Sequence, residues 1–270
     1  MPDNIKLQIL PTGTMHADLT WLLLDPSRVM ASRAEKNRPA QWVGVPTHCV
    51  FIDHPEGKLL WDAGVPRDWE TRWAPTGLQE YFPVDEVTED QWLDSRLEQL
   101  GYEPHDIDHL VLSHLHFDHA GQADLWNDAP RTRVICSKDE YEGAFGFEGY
   151  NLGAHVKNDY AGLHFETVEG DTEILPGVTL LQTPGHTWGT MSLQVDLPDS
   201  GTMIFTSDAV YRSESYGPPS VGAGVVYDSR KWFASVEKIR SIAERTNATV
   251  VFGHDEEQIT QLKVTPAFYS

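Results

Sequence analysis

The sequence predicts an α/β fold, with sheets covered on their outer faces by helices. Short apolar runs recur along the chain, each bounded by Gly, Pro, Asp or His, as buried strands punctuated by turns do. A smaller number of segments keep the 3.6-residue spacing of an amphipathic helix. The two kinds interleave (strands, helix, strand, helix, strand, helix, more strands, helix, strand), which is the order of a layered α/β domain. No fixed-period repeat or low-complexity linker divides the 270 residues, so one domain spanning 1–270 is expected.

The expected strands run from Lys6 to Leu10, Leu19 to Leu24, His48 to Asp53, Lys58 to Asp62 and His109 to Ser113. They continue from Thr132 to Cys136, Val178 to Gln182, Thr190 to Val195, Thr202 to Thr206 and Ala248 to Phe252. Pro55-Glu56-Gly57 reads as the turn of a hairpin. Thr88-Glu89-Asp90-Gln91 fits a capping box ahead of Trp92, Leu93, Leu97 and Leu100, and Gly101 is the stop. Ser137 is a candidate cap for a short helix through Tyr141. Ser229 is a candidate cap for a longer one to about Arg245, with Trp232, Phe233, Val236, Ile239, Ile242 and Ala243 at helical spacing. Two stretches, Asp25 to Pro46 and the Trp-, Pro- and Tyr-rich Arg67 to Pro83, read as long loops of the kind that form lids, binding loops or packed excursions.

Lys and Arg total 20 and Asp and Glu 41, a net charge of −21. Phosphate recognition needs clustered cations, so a nucleic-acid partner is disfavoured, as is docking on an anionic membrane. Cys49 and Cys136 do not make a disulfide framework. No apolar stretch reaches membrane-spanning length, and Met-Pro-Asp-Asn-Ile-Lys lacks the pattern of a leader; a cytoplasmic location is expected.

The strongest chemical signal is Ser113-His114-Leu115-His116-Phe117-Asp118-His119. At the end of an apolar strand, His114 and His116 would point the same way, with Asp118 and His119 following at the turn. Imidazole and carboxylate together suit zinc, iron, cobalt or manganese. Three further strand ends each carry one ligand-type residue: His186 in Pro184-Gly185-His186-Thr187, Asp208 in Phe205-Thr206-Ser207-Asp208, and His254 in Phe252-Gly253-His254-Asp255. The remaining histidines, His16, His48, His54, His105, His109, His155 and His164, fall in no such motif and read as surface or hydrogen-bonded residues.

This His-x-His-x-Asp-His motif, with its later Gly-His, Asp and Gly-His, resembles the metallo-β-lactamase superfamily over nearly the whole chain. The resemblance implies a four-layer αββα sandwich, two mixed sheets flanked by helices, with two divalent metal ions at one edge. Carried over, His114, His116 and His186 bind the first metal, Asp118, His119 and His254 the second, and Asp208 bridges both. Zinc is expected ahead of iron, cobalt or manganese. Asp62, in Leu60-Trp61-Asp62-Ala63-Gly64, matches an early Asp-x-Gly strand end and is expected to orient the ligands.

Within the superfamily, the β-lactam-degrading members lack the bridging carboxylate. Glyoxalase II shares the ligands but carries a helical C-terminal domain for which 255–270 is too short. The tRNA-processing nucleases have a basic arm, and the flavo-diiron proteins a flavin domain. Tyr211, three residues after Asp208, is similar to a tyrosine that contacts substrate in the N-acyl-homoserine lactonases. Phe117 matches a residue lining their substrate pocket, and the 183–192 and 252–255 segments are similar to one subgroup of them. Met15 is assigned to the acyl-chain pocket.

The resemblance implies opening of a lactone ester by a bridging hydroxide at two cations about 3.5–4 Å apart. Tyr211 would donate to the developing oxyanion and Asp118 shuttle a proton to the leaving alkoxide. The substrate is then a small lactone, with broad acyl-chain tolerance expected because one methylene changes discrimination by only about 1–3 kcal/mol. The resemblance leaves the oligomeric state open: related lactonases can be dimers, and the Asp25 to Pro46 segment could pack on a partner in a homodimer. The alternatives are another lactone, a thioester or a phosphodiester on the same scaffold. A non-catalytic metal protein is less economical, since a structural zinc site needs only four ligands.

Overall fold

The computed structural model describes residues 4–25, 27–146 and 153–270. Residues 1–3 of the N-terminal stretch read for a leader, and Pro26 of the 25–46 segment, lie outside them. Among the described residues, eleven strands form two sheets. The first joins β1 (Lys6–Asp18), β2 (Trp42–His54), β3 (Gly57–Trp61), β4 (His109–Val111), β5 (Arg133–Ser137) and β6 (Phe165–Val168) in that order. The second has the order β11 (Thr249–Val251), β10 (Gly201–Phe205), β9 (Met191–Leu197), β8 (Val178–Gln182), β7 (Thr172–Leu175). Both are mixed: β3 to β6 run parallel, as do β10 and β11, and the other pairs are antiparallel.

Side-chain alternation creates the layers. Val50, Ile52, Leu59, Trp61 and Val111 of the first sheet meet Leu180, Leu193, Val195, Met203 and Phe205 of the second in a buried inter-sheet core. Their neighbours point the opposite way. Phe51, Leu60, Leu110 and Val134 pack under the helices α3 (Leu93–Leu100) and α4 (Lys138–Gly146). Leu181 and Ile204 pack under Trp232, Val236 and Ile239 of α6 (Ser229–Thr246). Strands buried on both faces account for the near-continuous apolar runs in the sequence. The result is the expected αββα sandwich.

Several local expectations change. Leu19 to Leu24 is not a strand: a 3-10 turn spans Leu19–Trp21, because Asp18 caps it by accepting the Thr20 N–H at 3.0 Å. Strand β1 extends eight residues beyond Leu10, through a register shift between Pro11 and Thr14, and β2 begins at Trp42 within the supposed loop. A bulge at a proline breaks the period-two pattern, which hid the extension. Strands β6 and β7 lie at sheet edges, where charged and polar residues are suited and the apolar signal fades. Asp228, rather than Ser229, caps α6, accepting from the amides of Arg230 and Lys231. The His109 strand ends at Val111, so His114 and His116 lie in a turn and strand alternation does not aim them. The 67–83 stretch holds two short helices, α1 (Trp69–Arg72) and α2 (Leu78–Tyr81). Ser137 does accept the Glu140 N–H at the start of α4.

Candidate metal centre

The turns that follow β3, β4, β8, β10 and β11 deliver the acidic and imidazole side chains to one edge of the sandwich, one to eight residues past the end of each strand. Two of the turns require glycine. A Cβ on Gly185, where φ is +136°, would lie 2.3 Å from the Trp232 nitrogen. One on Gly253 would lie 2.6 Å from the Ser207 carbonyl oxygen. The Gly-His pairs thus let the His186 loop close onto α6 and the His254 loop close onto the Asp208 turn. Asp62 and Ser207 adopt left-handed backbone at φ +61° and +46°, a conformation costly for non-glycine residues that here re-aims the chain at the site.

His114, His116, His186 and Asp208 form one group of donor atoms, and Asp118, His119 and His254 a second; in each group the atoms lie within 4.8 Å of one another. All seven residues are buried. Asp208 spans the two groups. Its Oδ2 is 3.2 Å from His186 Nε2 and 3.7 Å from His114 Nε2. Its Oδ1 is 3.1 Å from His119 Nε2 and 3.0 Å from His254 Nε2. Asp118 Oδ2 lies 3.6 Å from His119 Nε2 and 3.5 Å from His254 Nε2.

The chemistry of these donors fits a pair of cations. Acceptors hold the rear nitrogens: Asp62 Oδ2 stands 2.8 Å from His119 Nδ1, the Val225 carbonyl 2.9 Å from His186 Nδ1, and the Pro46 carbonyl 3.0 Å from His254 Nδ1. A proton on each Nδ1 leaves an Nε2 lone pair facing inward. Those inward atoms crowd together, His186 Nε2 lying 3.1 Å from His114 Nε2 and 2.9 Å from His116 Nδ1. Lone pairs so close repel unless a cation sits among them. Metal–nitrogen bonds of about 2.0 Å in a tetrahedron place ligand atoms about 3.3 Å apart, in the range seen here. His119 Nε2 and Asp208 Oδ1 are buried and face each other at 3.1 Å without hydrogen-bond geometry, as atoms kept for a metal would be.

The buried groups feel the same field. Burial and neighbouring imidazoles hold His114 and His116 well below the usual histidine range, in the neutral ligand form. Burial alone would lower His119, but Asp118, Asp208 and Asp62 lift it well above. Burial alone would raise Asp208, but His119, His254 and His186 hold it well below the carboxylate range.

The centre opens onto a cavity of about 460 Å³. Met15, Phe117, Trp21, Leu78, Tyr81 and Phe82 are among the residues that wall it, and His116, Asp118, Asp208, Tyr211 and His254 also reach it. Met15 arrives on the unanticipated extension of β1. The Tyr211 hydroxyl is turned onto His186 Nδ1 at 2.6 Å and donates to the Val225 carbonyl at 2.9 Å. Asp62 accepts from the Ser113 amide and hydroxyl at 2.7 and 2.9 Å besides contacting His119. The sequence reading missed Val225, Trp21, Glu140 and His155. His155 is hydrogen-bonded, as read, yet its ring packs on His116 with centroids 4.5 Å apart. None of the four stands in a ligand motif, and a glutamate in a helix's first turn looks like any surface helix glutamate.

A two-sheet sandwich with a shared carboxylate between two histidine groups at its edge defines a metal-dependent hydrolase class, and the model of the metallo-beta-lactamase superfamily matches residues 42–254. An N-acyl homoserine lactonase from a Bacillus species is 32% identical over 268 residues, covering 97% of this chain and 98% of the relative. N-acyl homoserine lactonase AiiB from Agrobacterium fabrum is 33% identical over 281 residues, covering 98% and 99%. A solved N-acyl homoserine lactone hydrolase with N-hexanoyl-L-homoserine bound at its catalytic metal centre superposes with a TM-score of 0.81 at 28% identity, covering 97% of this chain and 98% of that one. The chain belongs to the N-acyl homoserine lactonase family of the metallo-beta-lactamase superfamily.

Proposed function

We propose that this protein hydrolyses the ring ester of N-acyl-homoserine lactones, adding water to give the open N-acyl-homoserine and so quenching the signal. The observation that carries the reading is the divided carboxylate of Asp208, one oxygen on each histidine group, at the inner end of an apolar cavity. His114, His116, His186 and Asp208 would hold one divalent cation; Asp118, His119, His254 and the other Asp208 oxygen would hold the second. Imidazole and carboxylate donors suit zinc. When bound, such a pair supplies Lewis acidity to the ester carbonyl and lowers the pKa of water toward neutrality.

The protein's own residues do the rest. Asp118 takes a proton on its carboxylate and returns it to the departing ring oxygen. Tyr211 redirects its hydroxyl from Val225 to the oxygen that gains charge as the carbonyl is attacked. Phe117, Met15 and the aromatic wall hold the acyl tail and keep bulk water off the ester. The apolar wall supplies few directional contacts, which supports broad chain-length tolerance. Two unpaired, buried thiols suit a reducing compartment such as the cytoplasm.

The test is proton release from short- and long-chain N-acyl-homoserine lactones, with the protein as purified, after chelation and after metal reloading. Turnover lost on chelation and restored by metal is expected. About two bound metals with no lactone turnover, alongside hydrolysis of a thioester or phosphodiester, would overturn the assignment.

A further inference from the structure

Glu140 is fully buried in the first turn of α4, yet its carboxylate serves no part of that helix. Its Oε1 accepts the Leu115 amide at 3.0 Å and stands 3.0 Å from His155 Nε2. Its Oε2 accepts the Gly189 amide at 3.2 Å. Leu115 lies between His114 and His116, and Gly189 follows His186 by three residues. One carboxylate therefore ties together the two loops that supply the three histidines of the first group. Its partner His155 lies against the ring of His116, and Trp188 backs His155 with ring centroids 5.3 Å apart. The fit is close: a Cβ on Gly189 would fall 1.9 Å from Ser137 Oγ, and one on Gly143 would fall 2.2 Å from the Trp188 ring.

Asp62 offers the comparison. It reaches Ser113 and His119, at the two ends of the 113–119 turn, and nothing in the His186 loop. Glu140 reaches the middle of the same turn and crosses to the other loop. Burial alone would raise the Glu140 carboxyl, but the His155 hydrogen bond and charge, with Thr187 and the Leu115 amide, hold it below the ordinary range, so it serves as a charged acceptor.

We propose that Glu140, with His155, is a positioning pair for the His114–His116–His186 half of the centre, setting how tightly that half, and not the Asp118–His119–His254 half, holds its cation. The inference rests on the two-cation reading and is independent of which ester is cleaved.

Metal binding without substrate tests it. Cobalt(II) is titrated against a competing chelator into the apo-protein, and bound metal per chain is counted by native mass spectrometry. Glu140→Gln keeps the side chain's size and turns one acceptor into a donor that faces an amide. It is expected to weaken one of the two sites by about 10–100-fold and leave the other unchanged. Combined with His186→Ala it should add no further loss, whereas with His254→Ala the losses should add. Folding is followed by circular dichroism. Should Glu140→Gln not fold, His155→Phe keeps a ring against His116 but removes the bond to Glu140, and a smaller loss at the same site is expected. Two wild-type affinities in a folded variant, equal weakening of both sites, or additivity with His186→Ala would overturn the proposal. Absence of lactone turnover would leave these affinities standing and count against the substrate assignment alone.

Discussion

The Tyr211 hydroxyl lies 2.6 Å from Nδ1 of His186, and both groups converge on the Val225 carbonyl at 2.9 Å. The tyrosine expected at the substrate is here tied to the rear of a candidate metal ligand. The two uses predict different kinetics. Because Val225 still holds His186 without the hydroxyl, Tyr211→Phe is expected to retain two metals. At saturating metal its kcat should fall by about 100-fold, the scale of one lost oxyanion donor. Stopped turnover with metal counting checks this; full kcat in Tyr211→Phe would confine the hydroxyl to supporting His186.

Among the described residues, Asp208 alone has its two oxygens directed at separate histidine groups. Asp208→Ala is therefore expected to strip both sites and abolish turnover, as should His116→Ala for the site it serves. His254→Ala should lose one metal of the two. Metal analysis after dialysis distinguishes these outcomes; a metal-replete Asp208→Ala protein would rule out the bridge.

Gly185 carries a steric argument that needs no chemistry. A methyl group there meets the backbone of Trp232 at 2.3–2.4 Å, in a backbone conformation disfavoured for other residues. Gly185→Ala should push the His186 loop away from α6. Loss of one metal, with a lowered Tm in thermal melts, is the expected result. An unperturbed Gly185→Ala protein would contradict the close approach.

Away from the site, Asp159 is buried against Arg72 Nη1 at 3.0 Å, and Arg72 also meets Asp68 and Asp124. Burial pushes Asp159 up to about 8, although Arg72 opposes the shift. A carboxyl whose folded pKa is raised contributes stability below its unfolded value of about 3.9, and that contribution is lost as pH rises toward 8. Asp159→Asn should remove this slope, so its Tm should fall less between pH 5 and pH 8 than that of the parent protein. Equal falls in the two would show that Asp159 is charged throughout the range.

The ligand motif was readable because metal binding needs particular side chains at particular strand ends. His114, His116, Asp118 and His119 stand in six residues, and His186, Asp208 and His254 each close an apolar run. The inter-sheet layers were readable because strands buried on both faces stay apolar throughout. Leu19 to Leu24 misled because its apolar run is as compatible with a capped turn as with a strand, and the Asp18 cap decided between them. Strands β6 and β7 carried too little burial to register.

Residue type and spacing along the chain were thus enough for a layered α/β class and for ligand-type residues after the strands; the αββα sandwich and the seven candidate ligands followed from the family resemblance that those motifs carry. Tertiary structure alone decided that Asp208 divides its oxygens between the two groups, that Tyr211 rests on His186, and that Glu140 joins two ligand loops from a helix 25 residues beyond Leu115. Met15 enters the cavity only because β1 runs on past a bulge. A side chain's identity is local, but the atom it faces depends on how distant strand ends are brought together. Buried polar atoms must find partners wherever the packed chain places them.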